Sequence, residues 1–148
     1  MESLDCAGEV VPVWLGLENC TLVEDVVLYD CALRALYLNS YQLPELYSQS
    51  LSCEGVLYLR KELQTTGKFD LLGVKIGGQL DCSQGRFFAG GVAVKCNVIT
   101  VGADVFFGED FKVRGAIDLI GAEISRNLDL SGATLTKDFI AQGMWVRA

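Results

Sequence analysis

One stretch of sequence occurs twice in this chain. Gly67 to Phe87 reads GKFDLLGVKIGGQLDCSQGRF, and Gly115 to Leu135 reads GAIDLIGAEISRNLDLSGATL. The offset is 48 throughout, without a gap. The identities are Gly67/Gly115, Asp70/Asp118, Leu71/Leu119, Gly73/Gly121, Ile76/Ile124, Leu80/Leu128, Asp81/Asp129 and Ser83/Ser131. Eight identities at one offset signal a repeat architecture, and a repeat must be recognised before any single element is assigned.

The block divides into smaller units of the form apolar-x-apolar-x-small-small-x-apolar. Clear copies are Ile117 to Ile124 and Leu128 to Leu135. Looser copies end on Leu22, Leu33, Leu43, Leu63, Ile76, Phe87, Ile99, Phe111 and Val146, so the pattern covers nearly the whole chain. Alternation with period two, a small residue and then an apolar anchor predict short strands and turns. A helix is disfavoured because glycine recurs inside almost every unit, at about 1 kcal/mol each. One such strand cannot bury its apolar side alone. Stacked coils, spaced by about 4.8 Å, bury a continuous ladder of Leu, Ile, Val and Phe. Two units make one coil of about 22–24 residues, so the chain reads as one all-β domain, 1–148, of about six coils. The segment Pro44 to Glu54 breaks the spacing. It reads as a degenerate coil through Leu46 and Leu51, a protruding loop or one helical turn.

The residues Leu119 to Leu135, LIGAEISRNLDLSGATL, resemble the pentapeptide-repeat family and its irregular bacterial relatives. Ala122/Ile124, Ala133/Leu135 and Cys20/Leu22 match that family's small residue at i−2 and its Leu or Phe at i. The resemblance implies a right-handed parallel β-helix of quadrilateral section. The anchors here slip out of strict five-residue phase, and the Asp or Asn before the anchor is mostly missing.

The composition excludes several chemistries. The chain has no histidine, so a Ser-His-Asp triad, a Cys-His pair and a histidine metal site are excluded within it. A pI near 4.5 argues against nucleic acid as a direct partner. The six cysteines, Cys6, Cys20, Cys31, Cys53, Cys82 and Cys96, form no Cys-x-x-Cys and read as buried free thiols. The start is acidic and the longest early apolar run, Val10 to Leu17, is only eight residues broken by Pro12 and Gly16, so no signal peptide or membrane span is expected and the default location is cytoplasmic. No cofactor or metal is expected.

Asp70, Asp81, Asp118 and Asp129 recur at one position of the unit, each beside inward apolar residues. They are expected to point outward as a solubilising ladder. Paired for acid–base work they would instead belong to a carbohydrate-active enzyme, and stacked they would face a cation. Gly77-Gly78 and Gly90-Gly91 read as turns, since neither opens a phosphate-binding motif. Charge is uneven. Residues 1–54 hold nine acids and one base, Arg34, a net −8, whereas residues 55–148 hold ten acids and eleven bases. Such an acidic end can attract a basic partner. Glu24, Asp25, Glu45, Tyr47 and Trp145 are candidate interaction residues. The tyrosines all fall early in the chain, at Tyr29, Tyr37, Tyr41, Tyr47 and Tyr58, and suit either an interface or corner packing. The last residues, Phe139 to Val146, look like the opening of another unit, and a homodimer or end-to-end contact through this coil is expected.

The residues therefore point to a non-catalytic structural or interaction module. The resemblance adds the alternative of a DNA mimic acting on a type II topoisomerase.

Overall fold

The computed structural model describes residues 4–60 and 63–147. Glu2, one of the acids counted above, lies outside them, and so do the side chains of Cys20 and Tyr41. Every regular element among the described residues is a β-strand, and every pairing is parallel.

The strands stack as a solenoid of about six turns, each with four sides. Side one carries Leu4–Asp5, Val26–Val27, Leu46–Tyr47, Phe69–Asp70, then Val94 with Lys95, Ile117 with Asp118, and Phe139–Ile140. Side two carries Val10 with Val11, Ala32 with Leu33, Ser52–Cys53, Lys75–Ile76, Thr100–Val101, Glu123–Ile124 and Trp145–Val146. Side three runs through Leu15 to Leu17, Leu36 to Leu38, Leu57–Leu59, Leu80–Asp81, Val105–Phe106 and Leu128–Asp129. Side four holds Gln64–Thr65, Arg86 with Phe87, Lys112 with Val113, and Thr134–Leu135.

Phe69 is in register with Val94 and Ile117, Ile76 with Val101 and Ile124, and Leu80 with Val105 and Leu128. The 48-residue repeat is therefore two turns of the solenoid. Along side one the turns advance from Leu4 to Val26, Leu46, Phe69, Val94, Ile117 and Phe139, so their lengths are unequal.

One residue of each short strand faces in. Val26, Leu46 and Phe69 on side one are fully buried, as are Leu36 and Leu57 on side three and Phe87 on side four. Four phenylalanines fill the middle of the interior, with ring centroids 4.9 Å apart for Phe69 and Phe87, 5.4 Å for Phe87 and Phe111, and 5.2 Å for Phe107 and Phe111. In the last turn the inward residues Leu128, Leu130, Leu135, Phe139 and Met144 are only partly buried.

Two corners account for many of the glycines. Between sides one and two, each turn places one residue in the left-handed region: Gly8, Asp30, Ser50, Gly73, Val98, Gly121 and Gly143. Between sides two and three, the backbones of successive turns lie directly on one another. Gly78 N–H donates to Gly55 C=O at 2.7 Å, and a Cβ on Gly78 would stand 2.6 Å from that oxygen. The pair Gly77-Gly78 thus sits at a turn, as its sequence suggests. Gly90-Gly91 lies instead inside the strand Arg86–Lys95, where its register with Lys112–Asp118 is interrupted between Phe88 and Val92.

The segment 44–54 is the coil through Leu46 and Leu51 that its sequence allows. It is neither a protruding loop nor a helical turn. Leu46–Tyr47 and Ser52–Cys53 take their places in register, and Leu46 and Leu51 are fully buried. The turn that it completes, from Val26 to Leu46, is the shortest of the solenoid. The spacing breaks there because nothing is inserted. The longest turn, from Phe69 to Val94, is the one that includes Ala89-Gly90-Gly91.

Candidate interaction face

The aspartate ladder differs from its expected role. Asp70 and Asp81 point away from the apolar interior but are only 5% exposed. Asp70 Oδ2 accepts from Gln49 Nε2 at 2.8 Å, and Asp81 Oδ2 accepts from Arg60 Nη1 at 3.0 Å. In each case Oδ1 accepts the backbone N–H two residues on, Leu72 at 3.1 Å and Ser83 at 2.9 Å. Asp118 does the same with Ile120, Asp129 with Ser131 and Asp5 with Ala7. A short carboxylate that bonds its own backbone two residues on fixes an Asx-turn. These aspartates therefore turn the chain at its corners, Asp70 and Asp81 from buried positions and Asp118 and Asp129 from partly exposed positions at the surface. The Ser131 hydroxyl and N–H also hold the Asp129 carboxyl below its ordinary range.

The ladder's carboxylates do not meet. Asp70 and Asp118 each pair with Lys95 between them, and Asp81 and Asp129 with Phe106. Two strand spacings, about 10 Å, separate the members of each pair.

Four of the sequence-selected residues do come together. Asp25, Glu45, Tyr47 and Asp70 lie on neighbouring turns at side one. Glu45 accepts a hydrogen bond from the Tyr47 hydroxyl. That bond, aided by burial and by the charges of Glu45, Asp25 and Asp70, pushes the Tyr47 phenol up to about 12. Glu24 is exposed beside Asp25. Trp145 lies apart, on side two of the last turn, 62% exposed, with the Arg147 guanidinium 5.8 Å from its ring centroid.

Sequence alone leaves the aromatic face of side three without a defined role. Gly16, Tyr37 and Tyr58 occupy one outward column, in register. Gly16 has no side chain, and the Trp14 six-membered ring lies over it: a Cβ there would stand 2.9 Å from Trp14 Cζ3. Trp14 thereby completes the column. Its ring centroid is 6.0 Å from that of Tyr37 with planes at 89°, and Tyr37 is 5.2 Å from Tyr58 at 62°. Trp14 is 67% exposed. At the far end the Arg60 guanidinium covers the Tyr58 ring at 4.4 Å while it pairs with Asp81. A second outward row begins with Glu18 and Asn39, which are in register beside the aromatic one. Two clefts open between the rows. One of about 310 Å³ is lined by Trp14, Glu18 and Tyr37. The other, about 50 Å³, is lined by Glu18, Tyr37, Leu38, Asn39, Tyr58 and Arg60, so that Glu18 borders both. The signal for this column was present as the repeated triplets Leu-Gly-Leu, Leu-Tyr-Leu and Leu-Tyr-Leu at 15–17, 36–38 and 57–59. Their even step is recognisable as one turn only once the length of a turn is known.

The cysteines at Cys31, Cys53, Cys82 and Cys96 are buried and free, and Cys6 is free and half-buried. Burial drives the Cys82 and Cys96 thiols well above their ordinary range. No group of three or more His, Cys, Asp or Glu side chains that could hold a metal ion occurs among the described residues. No protein-family model, curated protein or solved structure matches this chain.

Proposed function

We propose that this chain is a non-catalytic interaction module, a solenoid whose first three turns dock a basic surface of a partner protein. The observation that carries this reading is the outward column Trp14–Tyr37–Tyr58, with its largest ring exposed, two of whose three rings lie within the acidic residues 1–54. Exposed aromatic rings supply rigid contact area, and a field of one sign gathers partners of the other. The acids surround the turn. Glu9 stands at the first corner, Glu54 at the second, Glu18 near side three, and Glu24, Asp25 and Glu45 between sides four and one. That distribution favours a general attraction for a basic protein over a duplex-like acidic face. The separation within each aspartate pair favours binding over acid–base chemistry.

A fluorescein-labelled peptide of alternating lysine and glycine tests the reading by anisotropy. It binds the wild-type chain, and raising salt from about 50 to 500 mM weakens it. The triple variant Glu24→Gln, Asp25→Asn, Glu45→Gln binds it several-fold more weakly. Absence of binding at low salt, or equal binding by the triple variant, contradicts the reading.

A contact between copies through the last turn is a second proposal, supported by the partly buried Leu128, Leu135 and Phe139 and the exposed Trp145. Sedimentation over a hundredfold concentration range tests it, and a constant monomer mass rejects it. We further propose kinship with the irregular pentapeptide-repeat proteins. Its supports are the four-sided turn, the turn from Val26 to Leu46 whose length equals four pentapeptides, and the burial of Ala122 and Ile124 in the i−2 and i slots.

A further inference from the structure

We infer that the cleft between Trp14, Tyr37 and Glu18 receives an arginine side chain of the partner protein. The inference rests on the reading above and specifies its anchor. Trp14 and Tyr37 stand at 89° to each other, so they form two walls of a corner rather than a flat stacking platform. Two perpendicular ring faces and one carboxylate suit a cation, which the ring quadrupoles and the carboxylate all attract. A neutral sugar or an apolar side chain gains nothing from the carboxylate. An anion is repelled by Glu18 and by the charge of the surrounding turns.

The same column displays the arrangement within the chain. Two turns along, the Arg60 guanidinium covers the Tyr58 ring at 4.4 Å and donates to Asp81 Oδ2 at 3.0 Å. An aromatic face and a carboxylate hold one guanidinium between them. Trp14, Tyr37 and Glu18 repeat that pairing at the exposed end, around a cleft of about 310 Å³. Glu18 makes no ion pair among the described residues. A planar guanidinium stacks on a ring face while its edge donates to a carboxylate, which an ammonium cannot do. The other cations placed over rings among the described residues, Arg114 on Phe88 and Arg147 on Trp145, are also arginines.

The test uses the whole chain labelled with nitrogen-15 and follows its two indole N–H signals. The Trp14 signal is assigned by its loss in Trp14→Phe, and the Trp145 signal serves as an internal control. The probes are three capped Gly-Gly-X-Gly-Gly peptides in which X is arginine, lysine or citrulline. Arginine moves the Trp14 signal saturably and leaves that of Trp145 in place. Lysine binds more weakly, and neutral citrulline, of nearly the same shape, does not bind. Glu18→Gln weakens the arginine peptide at least fivefold with an unchanged circular dichroism spectrum. Citrulline binding as well as arginine, equal shifts at both tryptophans, or no effect of Glu18→Gln overturns the inference. If those results appear while the lysine–glycine peptide still binds in a salt-dependent way, the arginine anchor fails and the interaction reading stands. If that peptide does not bind either, the reading itself fails.

Discussion

At the scale of single residues, the corners between sides one and two give the sharpest expectations. Val98 occupies the left-handed position that glycine fills at Gly73 and Gly121 on the adjacent turns, with φ of 48° and 54% exposure. A β-branched side chain there is strained by about 1–2 kcal/mol, and the exposed isopropyl group recovers little of it. Val98→Gly or Val98→Asn raises the urea midpoint, by about 0.5–1 kcal/mol after glycine's own entropy cost. Unchanged or lower stability contradicts the corner geometry. Tyr47 provides a pH-dependent test. Its folded-state value of about 12 lies above the ordinary 10, so the folded chain holds that proton more tightly. The associated stability is fully present below about pH 10 and is lost as pH rises towards 12. Wild type therefore loses stability between pH 9 and 11 faster than Tyr47→Phe, as urea midpoints measured across that range will report.

At the scale of the element, a strand of two residues is stable only because its corner is held. Asp81 accepts the buried Ser83 N–H and also pairs with Arg60. Asp81→Ala leaves that donor and that guanidinium without their partner and costs about 2 kcal/mol in urea unfolding. Asp81→Asn keeps the side-chain oxygen for the Ser83 N–H but turns an amide NH2 towards Arg60 and loses that ion pair, so its cost is smaller, by about the 1 kcal/mol of the retained bond. Equal losses for the two variants contradict the turn-holding role. This role was hidden in the sequence. An aspartate after an inward apolar residue predicts an outward side chain, but not that the chain turns back over it. Strand positions were far more legible. Leu22, Leu33, Leu43, Ile76 and Phe87, read as anchors, are all buried. Leu63, Ile99 and Phe111 are buried too, yet they lie two residues before the register positions Thr65, Val101 and Val113. Both slots face the interior, and in these turns the larger residue sits in the slot that Ala122 fills elsewhere. An anchor defined by size therefore slips by two.

At the scale of the whole molecule, the 48-residue offset was sufficient to predict parallel stacked coils and their approximate number. It could not locate the longest and shortest turns. Glycine pairs look alike at a corner and inside an interrupted strand, and a turn lacking an insertion resembles a break in a pattern averaged over longer turns. The interaction face was illegible for the same reason, since Trp14, Tyr37 and Tyr58 become neighbours only when successive turns stack. Every proposal above depends on that register, which disulfide trapping reads directly. Thr100 and Glu123 are outward partners on adjacent turns. In-register parallel strands stand about 4.8 Å apart, within the Cα range of a disulfide. In a variant with the native cysteines replaced by alanine or serine, Thr100→Cys with Glu123→Cys oxidises to an intramolecular disulfide, identified by peptide mass mapping. Ser125→Cys in place of Glu123→Cys, two residues along the strand, does not. Efficient cross-linking of the shifted pair, or none of the matched pair in a chain that retains its β-sheet circular dichroism, would contradict the stacked four-sided solenoid.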